Sequence, residues 1–334
     1  MLWGMRVAIP PSRLLRPDPY IFGILAMVVL ASLLPISGRA AKDFAVLTKI
    51  VIGMLFFLHG ARLSREAIIA GITHWRLHLT VLTSTFALFP LLGLAMQSFP
   101  VWILPPALAA GVLFLCCLPS TVQSSIAFTA VARGNVAAAV CAASASNFIG
   151  IFITPLLVAV LMSTKAAGVV FSFDMLQSIA VQLLLPFTAG QAARRWIGDV
   201  IAKHSKFASY FDRGSILLVV YGAFSEAVTQ GLWAQVSSSQ VAWLALFCCA
   251  LLAIVLSATV FGARAMGFSV ADEITIVFCG SKKSLASGVP MATIFFPLAS
   301  VGLMVLPLML FHQIQLMACA VIAQRYAGRQ VQPA

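Results

Sequence analysis

Apolar segments about 20 residues long recur from one end of the chain to the other, and this length is what a helix needs to cross the hydrocarbon core of a bilayer. Hydrophobic residues make up 61% of the 334 residues, while charged residues make up only 9%. A soluble domain of this length cannot bury so much apolar surface. The sequence therefore predicts an all-α integral membrane protein and excludes a soluble globular one.

Ten of these segments are predicted to span the membrane. They lie at residues 19–37, 43–61, 77–97, 102–132, 136–162, 176–193, 214–232, 239–262, 273–297 and 302–323. The fourth is interrupted near Pro119, and the ninth contains the adjacent residues Lys282 and Lys283. The first apolar segment is too long for the core of a cleaved signal peptide, so we interpret it as an uncleaved span.

The basic residues predict the orientation of the chain. Fifteen of the 21 lysines and arginines fall in connections on one side of the spans, and four fall on the other side. Because cytoplasmic loops carry the excess of Lys and Arg, both termini are predicted to be cytoplasmic. The net charge of +12 is thereby explained without a nucleic acid partner. Membrane lipids and a transported solute are the expected partners, and nothing in the sequence predicts an oligomeric state.

The seven cysteines lie within apolar segments, where they are expected to pack as small hydrophobic side chains. No CxxC or HExxH spacing occurs, so neither a metal site nor a cofactor is predicted. His312 and Cys279 form no recognisable triad. The chain is therefore not predicted to be an enzyme.

An internal repeat is suggested by the number of spans and by a single offset. At a shift of 162 residues, Gly60 falls on Gly222, Cys117 on Cys279, and Ser125 on Ser287. Ten spans of this kind favour two five-helix repeats of inverted topology, a common plan of secondary transporters. The predicted units are residues 18–163 and 176–325 as the two repeats, 164–175 as an external linker, and 1–17 and 326–334 as cytoplasmic tails.

Polar residues inside the spans cluster in the fourth and ninth. The fourth contains Ser120, Thr121, Gln123, Ser124 and Ser125; the ninth contains Ser281, Lys282, Lys283, Ser284 and Ser287. Nearby Pro and Gly residues predict that both helices break near the midplane, which exposes carbonyl groups at one half-helix end and amides at the other. These residues are expected to line a cavity that holds a cation and an anion together. The alternative is that Pro and Gly only kink packed helices.

The two lysines are the most unusual polar residues of the spans. Counted from Glu273, Lys283 lies about 15 Å into the membrane, and each charge at such depth costs about 2.5–3.5 kcal/mol. Adjacent residues of a helix point about 100° apart, so only one lysine is expected to face the cavity. An ammonium group beside half-helix carbonyls would act as a bound metal cation does. The alternative is a structural cross-link.

Other spans contribute further candidate binding residues. Asn147 lies in the fifth span, and His312, Gln313 and Gln315 lie in the tenth. Hydrogen-bonded packing between helices is the alternative explanation for all four. Glu226, in the seventh span, is a candidate for carrying protons or pairing with a lysine. His59, near the end of the second span, is a weaker candidate and is expected to be structural.

Several segments together resemble the bile acid:sodium symporter superfamily, most closely its branch of YfeH-like bacterial proteins and the seventh member of solute carrier family 10. They are LFFLHGARLSREAI (55–68), LPSTVQSSIAFTAVARGNVAAAV (118–140), SASNFIGIFITPLLV (144–158), ADEITIVFCGSKKSLASG (271–288) and LPLMLFHQIQL (306–316). The resemblance implies a ten-helix fold in which a panel of spans 1, 2, 6 and 7 moves against a core of spans 3–5 and 8–10. Broken, crossing fourth and ninth helices, alternating access, organic anion substrates, sodium as driving ion and a bacterial inner membrane are further implications.

The chain departs from the sodium-coupled members of that superfamily. Those members supply a Ser-Asn pair on the fourth helix, hydroxyl groups on the fifth, and a Glu on the ninth. Here Ser124-Ser125 corresponds to the pair, Ala139 and Ala143 replace the hydroxyl groups, and lysines occupy the region of the missing acid. We therefore expect a secondary transporter of an organic anion in which a lysine ammonium replaces sodium, so that transport is sodium-independent or proton-linked. The alternative is a membrane regulator or a lipid- or ion-binding scaffold.

Overall fold

A computed structural model describes residues 19–62, 74–162, 180–229 and 236–329, together with residues 177 and 231. These residues contain helices and connecting turns but no β-strand, which confirms the all-α prediction for the part described. The α-helices are α1 (Pro19–Leu33), α2 (Gly38–Arg62), α3 (Trp75–Thr83), α4 (Phe89–Ala95), α5 (Pro106–Cys117), α6 (Gln123–Val131), α7 (Val136–Met162), α8 (Leu185–Lys203), α9 (Ser205–Thr229), α10 (Ser238–Ala265), α11 (Val270–Gly280), α12 (Leu285–Phe295) and α13 (Leu298–Arg329).

The lengths and hydropathy of these helices are those of a membrane protein. Within the described ranges, five helices are long and apolar enough to cross a bilayer: Gly38–Arg62, Trp75–Ser98, Val136–Met162, Ser238–Ala265 and Leu298–Gly328. Phe22–Leu33 and Pro106–Cys117 are shorter apolar helices. The chain is thus a helical membrane protein. The ten-span topology, the two repeats and the division into panel and core stay predictions.

The predicted interruptions near Pro119 and the lysine pair are present. Helix α5 ends at Cys117 and α6 begins at Gln123, while α11 ends at Gly280 and α12 begins at Leu285. Proline at 119 disfavours helical backbone at the preceding residue, and Leu118 is extended, with φ −77° and ψ 156°. Ser284 caps the start of α12, where its side chain accepts a hydrogen bond from the amide of Ser287. The interruptions at residues 118–122 and 281–284 are called here the first and second break.

A π-helical turn at Ser84–Leu88 joins α3 to α4. The amide of Phe89 donates to the carbonyl of Ser84, five residues earlier. In that register the carbonyl of Thr85 would accept from residue 90, which is a proline and has no N–H. The Thr85 carbonyl is therefore left without a main-chain donor, and the periodicity of the sequence did not predict this.

Helices α2 and α8 cross at a pair of glycines. A Cβ added at Gly60 would lie 2.0 Å from the carbonyl oxygen of Phe187, and one added at Gly190 would lie 1.9 Å from that of Phe57. No side chain fits there, so the two backbones pack directly against each other.

Some helices extend beyond the predicted spans. Helix α8 continues to Lys203 rather than ending at residue 193, and α9 begins at Ser205 rather than at 214. Polar residues interrupt the apolar pattern in this stretch but do not interrupt the helices. The predicted 1–17 tail and 164–175 linker lie outside the described residues. Of the predicted 326–334 tail, the part that is described belongs to α13, which ends at Arg329.

Candidate functional site

The two breaks lie against each other, and serine side chains join them. The hydroxyl of Ser120 donates to the carbonyl of Cys279 (2.5 Å), and that of Ser125 donates to the carbonyl of Phe278 (2.9 Å). In the other direction, the amide of Ser284 donates to the carbonyl of Pro119 (2.9 Å). Residues 153 to 165 positions apart in sequence are thus brought into one hydrogen-bonded unit.

The carbonyl groups at the end of α11 are all paired with protein donors. The carbonyl of Gly280 accepts from the Ser84 hydroxyl (2.8 Å), and that of Val277 accepts from the Ser281 hydroxyl (2.6 Å). Together with the serine bonds to Phe278 and Cys279, these contacts account for the last four carbonyls of the helix. The end of α11 therefore offers no free carbonyl to a metal ion.

Lys283 occupies a cage of main-chain carbonyl groups. Its Nζ donates to the carbonyl oxygens of Thr85, Cys116 and Leu118, each at 2.7 Å, and the residue has no exposed surface. An ammonium group has three donors, so all are used. The Phe89 ring lies on one side of the cage, with its centroid 4.2 Å from Nζ. The free Thr85 carbonyl of the π-turn and the end of α5 together provide this cation site.

Gln315 holds the main chain at the second break. Its Oε1 accepts from the amide of Lys283 and its Nε2 donates to the carbonyl of the same residue, both at 2.9 Å. Gln315 Nε2 also lies 2.8 Å from His312 Nδ1. Because one side-chain amide pairs with both polar groups of Lys283, α13 fixes the direction in which that residue leaves the break.

Lys282 has a different environment although it is also completely buried. Its Nζ has no hydrogen-bond partner among the described residues. The nitrogen lies 4.4 Å from the centroid of the Phe128 ring and 5.5 Å from that of Phe278. The faces of aromatic rings attract cations, so these two contacts are what the structure provides for this charge.

A cavity of about 840 Å³ lies beside the breaks. The first turns of α6 and α12 border it, so the amide ends of both half-helices face the same space. Asn147 of α7 is part of the wall; its Nδ2 donates to the Ser120 carbonyl (2.7 Å) and its Oδ1 accepts from Ser287 (2.9 Å).

The cavity wall contains some of the predicted site residues and lacks others. Thr121, Gln123, Ser124, Asn147, Ser284, Ser287, His312 and His59 border it. Ser120, Ser125, Ser281, Lys282 and Lys283 are completely buried and do not. The expectation that these five line the cavity is wrong, as is the expectation that one lysine faces it, because all five side chains are packed inside the protein. Gln313, Gln315 and Glu226 are also absent from the wall, and His59 lies on it rather than only packing between helices.

An ion pair on the cavity wall was missed by sequence analysis. Asp212 Oδ2 accepts a hydrogen bond from Arg62 Nη1, and both residues border the cavity together with Arg213 and Tyr20. The sequence predicted residue 212 to lie in a connection before the seventh span. A helical pattern that continues through charged residues was the available signal, and hydropathy alone does not detect it.

These observations define a class of protein. Two interrupted helices whose breaks meet beside a cavity, within a helical membrane protein, are the arrangement of secondary transporters. The chain belongs to the SBF-like CPA transporter family, whose sequence model matches residues 18–328. The members of this family are transporters and not enzymes, in agreement with the sequence-based prediction.

Relatives match the chain over nearly its whole length. An uncharacterised protein of Pseudomonas aeruginosa is 57% identical over 94% of each chain. The protein named "Putative symporter YfeH" of Escherichia coli is 54% identical over 92% of each chain. The rat protein named sodium/bile acid cotransporter 7 is 27% identical, again over 92% of each chain. The resemblance inferred from the sequence motifs is thereby confirmed.

Proposed function

We propose that this chain is a secondary active transporter of an organic anion and works by alternating access. Its ten spans would form two inverted repeats in a bacterial inner membrane, with both termini cytoplasmic. The names of the Escherichia coli and rat relatives, a symporter and a cotransporter, support transport coupled to a second solute. The meeting of two broken helices supports alternating access around a fixed site.

The charge of the cavity wall supports an anionic substrate. The N-terminal ends of α6 and α12 face the cavity, and each helix N-terminus carries a partial positive charge and amides that have no partner within the helix backbone. Among the described residues, Arg62 and Arg213 add two cations to the wall, and Asp212 adds one carboxylate. An anionic group would bind at the half-helix ends, beside Thr121, Ser124 and Ser287.

The remaining wall supports a substrate with an apolar part. Aromatic and aliphatic side chains from six helices border the cavity between the polar groups: Phe56, Phe148, Ile151, Phe187, Ile216, Met291 and Leu316. Burial of apolar surface against them contributes about 25 cal/mol per Å² to binding. An amphipathic organic anion fits a wall that is polar at the half-helix ends and apolar elsewhere.

The Lys283 cage is the observation that supports independence from sodium. A positive charge held by three main-chain carbonyls at the end of a broken helix occupies the kind of environment that a coupling cation needs. Ala139 and Ala143, which stand where sodium-coupled members have hydroxyl groups, are both completely buried and provide no side-chain ligand. We infer that the Lys283 ammonium takes the place of the sodium ion, and that transport is either uncoupled from cations or linked to protons.

Transport can be tested in two stages. Anionic metabolites are first compared between cells with and without the chain, which identifies candidate substrates. Uptake of those metabolites is then measured in proteoliposomes under a sodium gradient, a potassium gradient and a proton gradient. The proposal expects uptake that is unchanged when sodium is replaced by potassium. Strictly sodium-driven uptake would overturn the role given to Lys283, and binding without uptake would favour the regulator or scaffold instead.

A further inference from the structure

The Arg62–Asp212 pair is joined by one hydrogen bond, although its two side chains could make two. Arg62 Nη1 bonds to Asp212 Oδ2, whereas Arg62 Nη2 and Asp212 Oδ1 are both buried and have no partner among the described residues. Arginine and carboxylate groups frequently pair through two parallel bonds. Here the pair leaves one donor and one acceptor unused, and both belong to residues of the cavity wall.

A second arginine–carboxylate pair in this protein, Arg264–Glu273, makes both of its parallel hydrogen bonds. Arg264 donates to Glu273 through Nε (2.9 Å) and Nη2 (3.0 Å), and Tyr326 adds a third bond to the same carboxylate (2.7 Å). Neither Arg264 nor Glu273 borders the cavity. The incomplete pair is thus the one whose residues border the cavity.

Buried polar groups are nearly always hydrogen-bonded, because an unmade bond leaves the cost of desolvation uncompensated. The Asp212 residue is only 7% exposed, so bulk water does not solvate it freely. The Arg62 side chain is 27% exposed, which leaves its guanidinium room to turn toward the cavity. The unused donor and acceptor have almost no exposed surface in this conformation, so a bound molecule reaches them once the Arg62 guanidinium turns toward the cavity.

We propose that the Arg62–Asp212 pair recognises an amide group of the transported anion. The amide carbonyl accepts from Arg62 Nη2, and the amide N–H donates to Asp212 Oδ1. This rests on the proposed function, since it assigns a second chemical group to the substrate of the same cavity. The anionic group binds at the half-helix ends, and the amide binds at the wall formed by α2 and α9.

Charge favours an amide over the other groups that could bind here. A second carboxylate would approach Arg62 but would be repelled by Asp212, and an ammonium would meet Arg62 and Arg213. A neutral group with an acceptor beside a donor is repelled neither by Asp212 nor by the two arginines. Gln315 shows the same chemistry elsewhere in the protein, since its side-chain amide pairs with the donor and the acceptor of Lys283.

Binding to the purified full-length chain in detergent, measured by calorimetry, tests this proposal. The probes are the monoamides of the linear dicarboxylic acids with four, six, eight and ten carbons, which carry one carboxylate and one terminal amide. The monomethyl esters of the same acids are the comparison, because they keep the acceptor and lack the donor. At the best length we expect the monoamide to bind about tenfold more tightly, as loss of one hydrogen bond to a charged group implies.

The variant Asp212→Asn should remove this preference, because it places a donor opposite the donor of the ligand. Glu273→Gln is the matched control in the completed ion pair and should keep the tenfold preference. Arg62→Lys is a second variant, which keeps the positive charge and should weaken monoamides and esters alike.

Equal binding of monoamide and ester at every length overturns the proposal, as does absence of monoamide binding or a preference that survives in Asp212→Asn. Because the assay measures binding, its outcome is independent of whether the chain transports solute.

Discussion

Lys282 and Lys283 are adjacent, identical in chemistry and both completely buried, yet their ammonium groups lie in different surroundings. Three carbonyl oxygens at 2.7 Å surround that of Lys283, whereas two aromatic rings accompany that of Lys282. The position of a buried cation in the sequence therefore does not determine its role. What matters is whether free main-chain acceptors lie within its reach.

The acceptors around Lys283 arise from two irregularities that are far apart in sequence. The π-turn before Pro90 frees the carbonyl of Thr85, and the first break frees those of Cys116 and Leu118. On the side of Lys282, the end of α11 has already been paired with serine hydroxyls. The Lys283 ammonium therefore pairs with carbonyl groups that have no main-chain donor, whereas the Lys282 ammonium has no hydrogen-bond partner in the described part of the chain.

The largest effect is expected from Lys283→Met. This change leaves three buried carbonyls unpaired, at about 1–3 kcal/mol each, so the free energy of unfolding should fall by several kcal/mol. Thermal unfolding of the purified protein in detergent measures it, with Lys282→Met as the matched control one residue away. Equal loss of stability in the two variants would contradict the claim that Lys283 stabilises the fold and Lys282 does not.

A smaller loss is expected from Gln315→Leu, which removes both hydrogen bonds to the main chain of Lys283. A buried amide and a buried carbonyl then lack partners, and we expect a loss of about 2–4 kcal/mol in the same unfolding assay. Gln313→Leu is the control two positions away, since Gln313 Oε1 has no hydrogen-bond partner in the described part of the chain. The importance of Gln315 would be contradicted if Gln313→Leu were the more damaging change.

The serine contacts between the breaks should contribute less. Ser125→Ala removes the donor to the Phe278 carbonyl and should lower the unfolding free energy by about 1 kcal/mol. Ser124→Ala is the neighbouring control, because its hydroxyl contacts Thr121 rather than the other break. If Ser124→Ala proves as destabilising as Ser125→Ala, hydroxyl groups do not hold the breaks together.

The smallest effect is expected from Lys282→Met. The substitution removes a buried charge that has only aromatic contacts and keeps much of the side-chain volume. Replacing even a buried ion pair by apolar side chains is often neutral or stabilising, and Lys282 has no ionic partner among the described residues, so the unfolding free energy should change by less than about 1 kcal/mol or rise. A large loss of stability would show that this ammonium has a partner beyond the two rings.

The sequence was informative about where helices break and less so about what the breaks surround. Pro119 and the polar run after Gly280 located both interruptions to within a few residues. The exposure of the lysines was predicted by treating residues 282 and 283 as helical, where adjacent side chains diverge by about 100°. Both residues lie in the second break instead, so the helical geometry does not apply to them.

Other parts of the site depend on contacts that a single sequence does not encode locally. The π-turn has no apolar period of its own, and the cage of Lys283 joins residues separated by more than 160 positions. Asp212 was missed because α9 extends nine residues before the apolar segment that predicted it. Local patterns predicted the elements, while the pairing of free carbonyls with the lysine required the three-dimensional structure.

Sodium dependence of thermal unfolding tests the central claim most directly, with the wild type compared with Lys283→Ala in sodium and in potassium at equal ionic strength. We expect the wild type to unfold at the same temperature in both salts. Lys283→Ala opens a cage of three carbonyls and should be stabilised by sodium. Sodium-dependent stabilisation of the wild type, or a Lys283→Ala variant that responds identically to both salts, would contradict the replacement of the ion by Lys283.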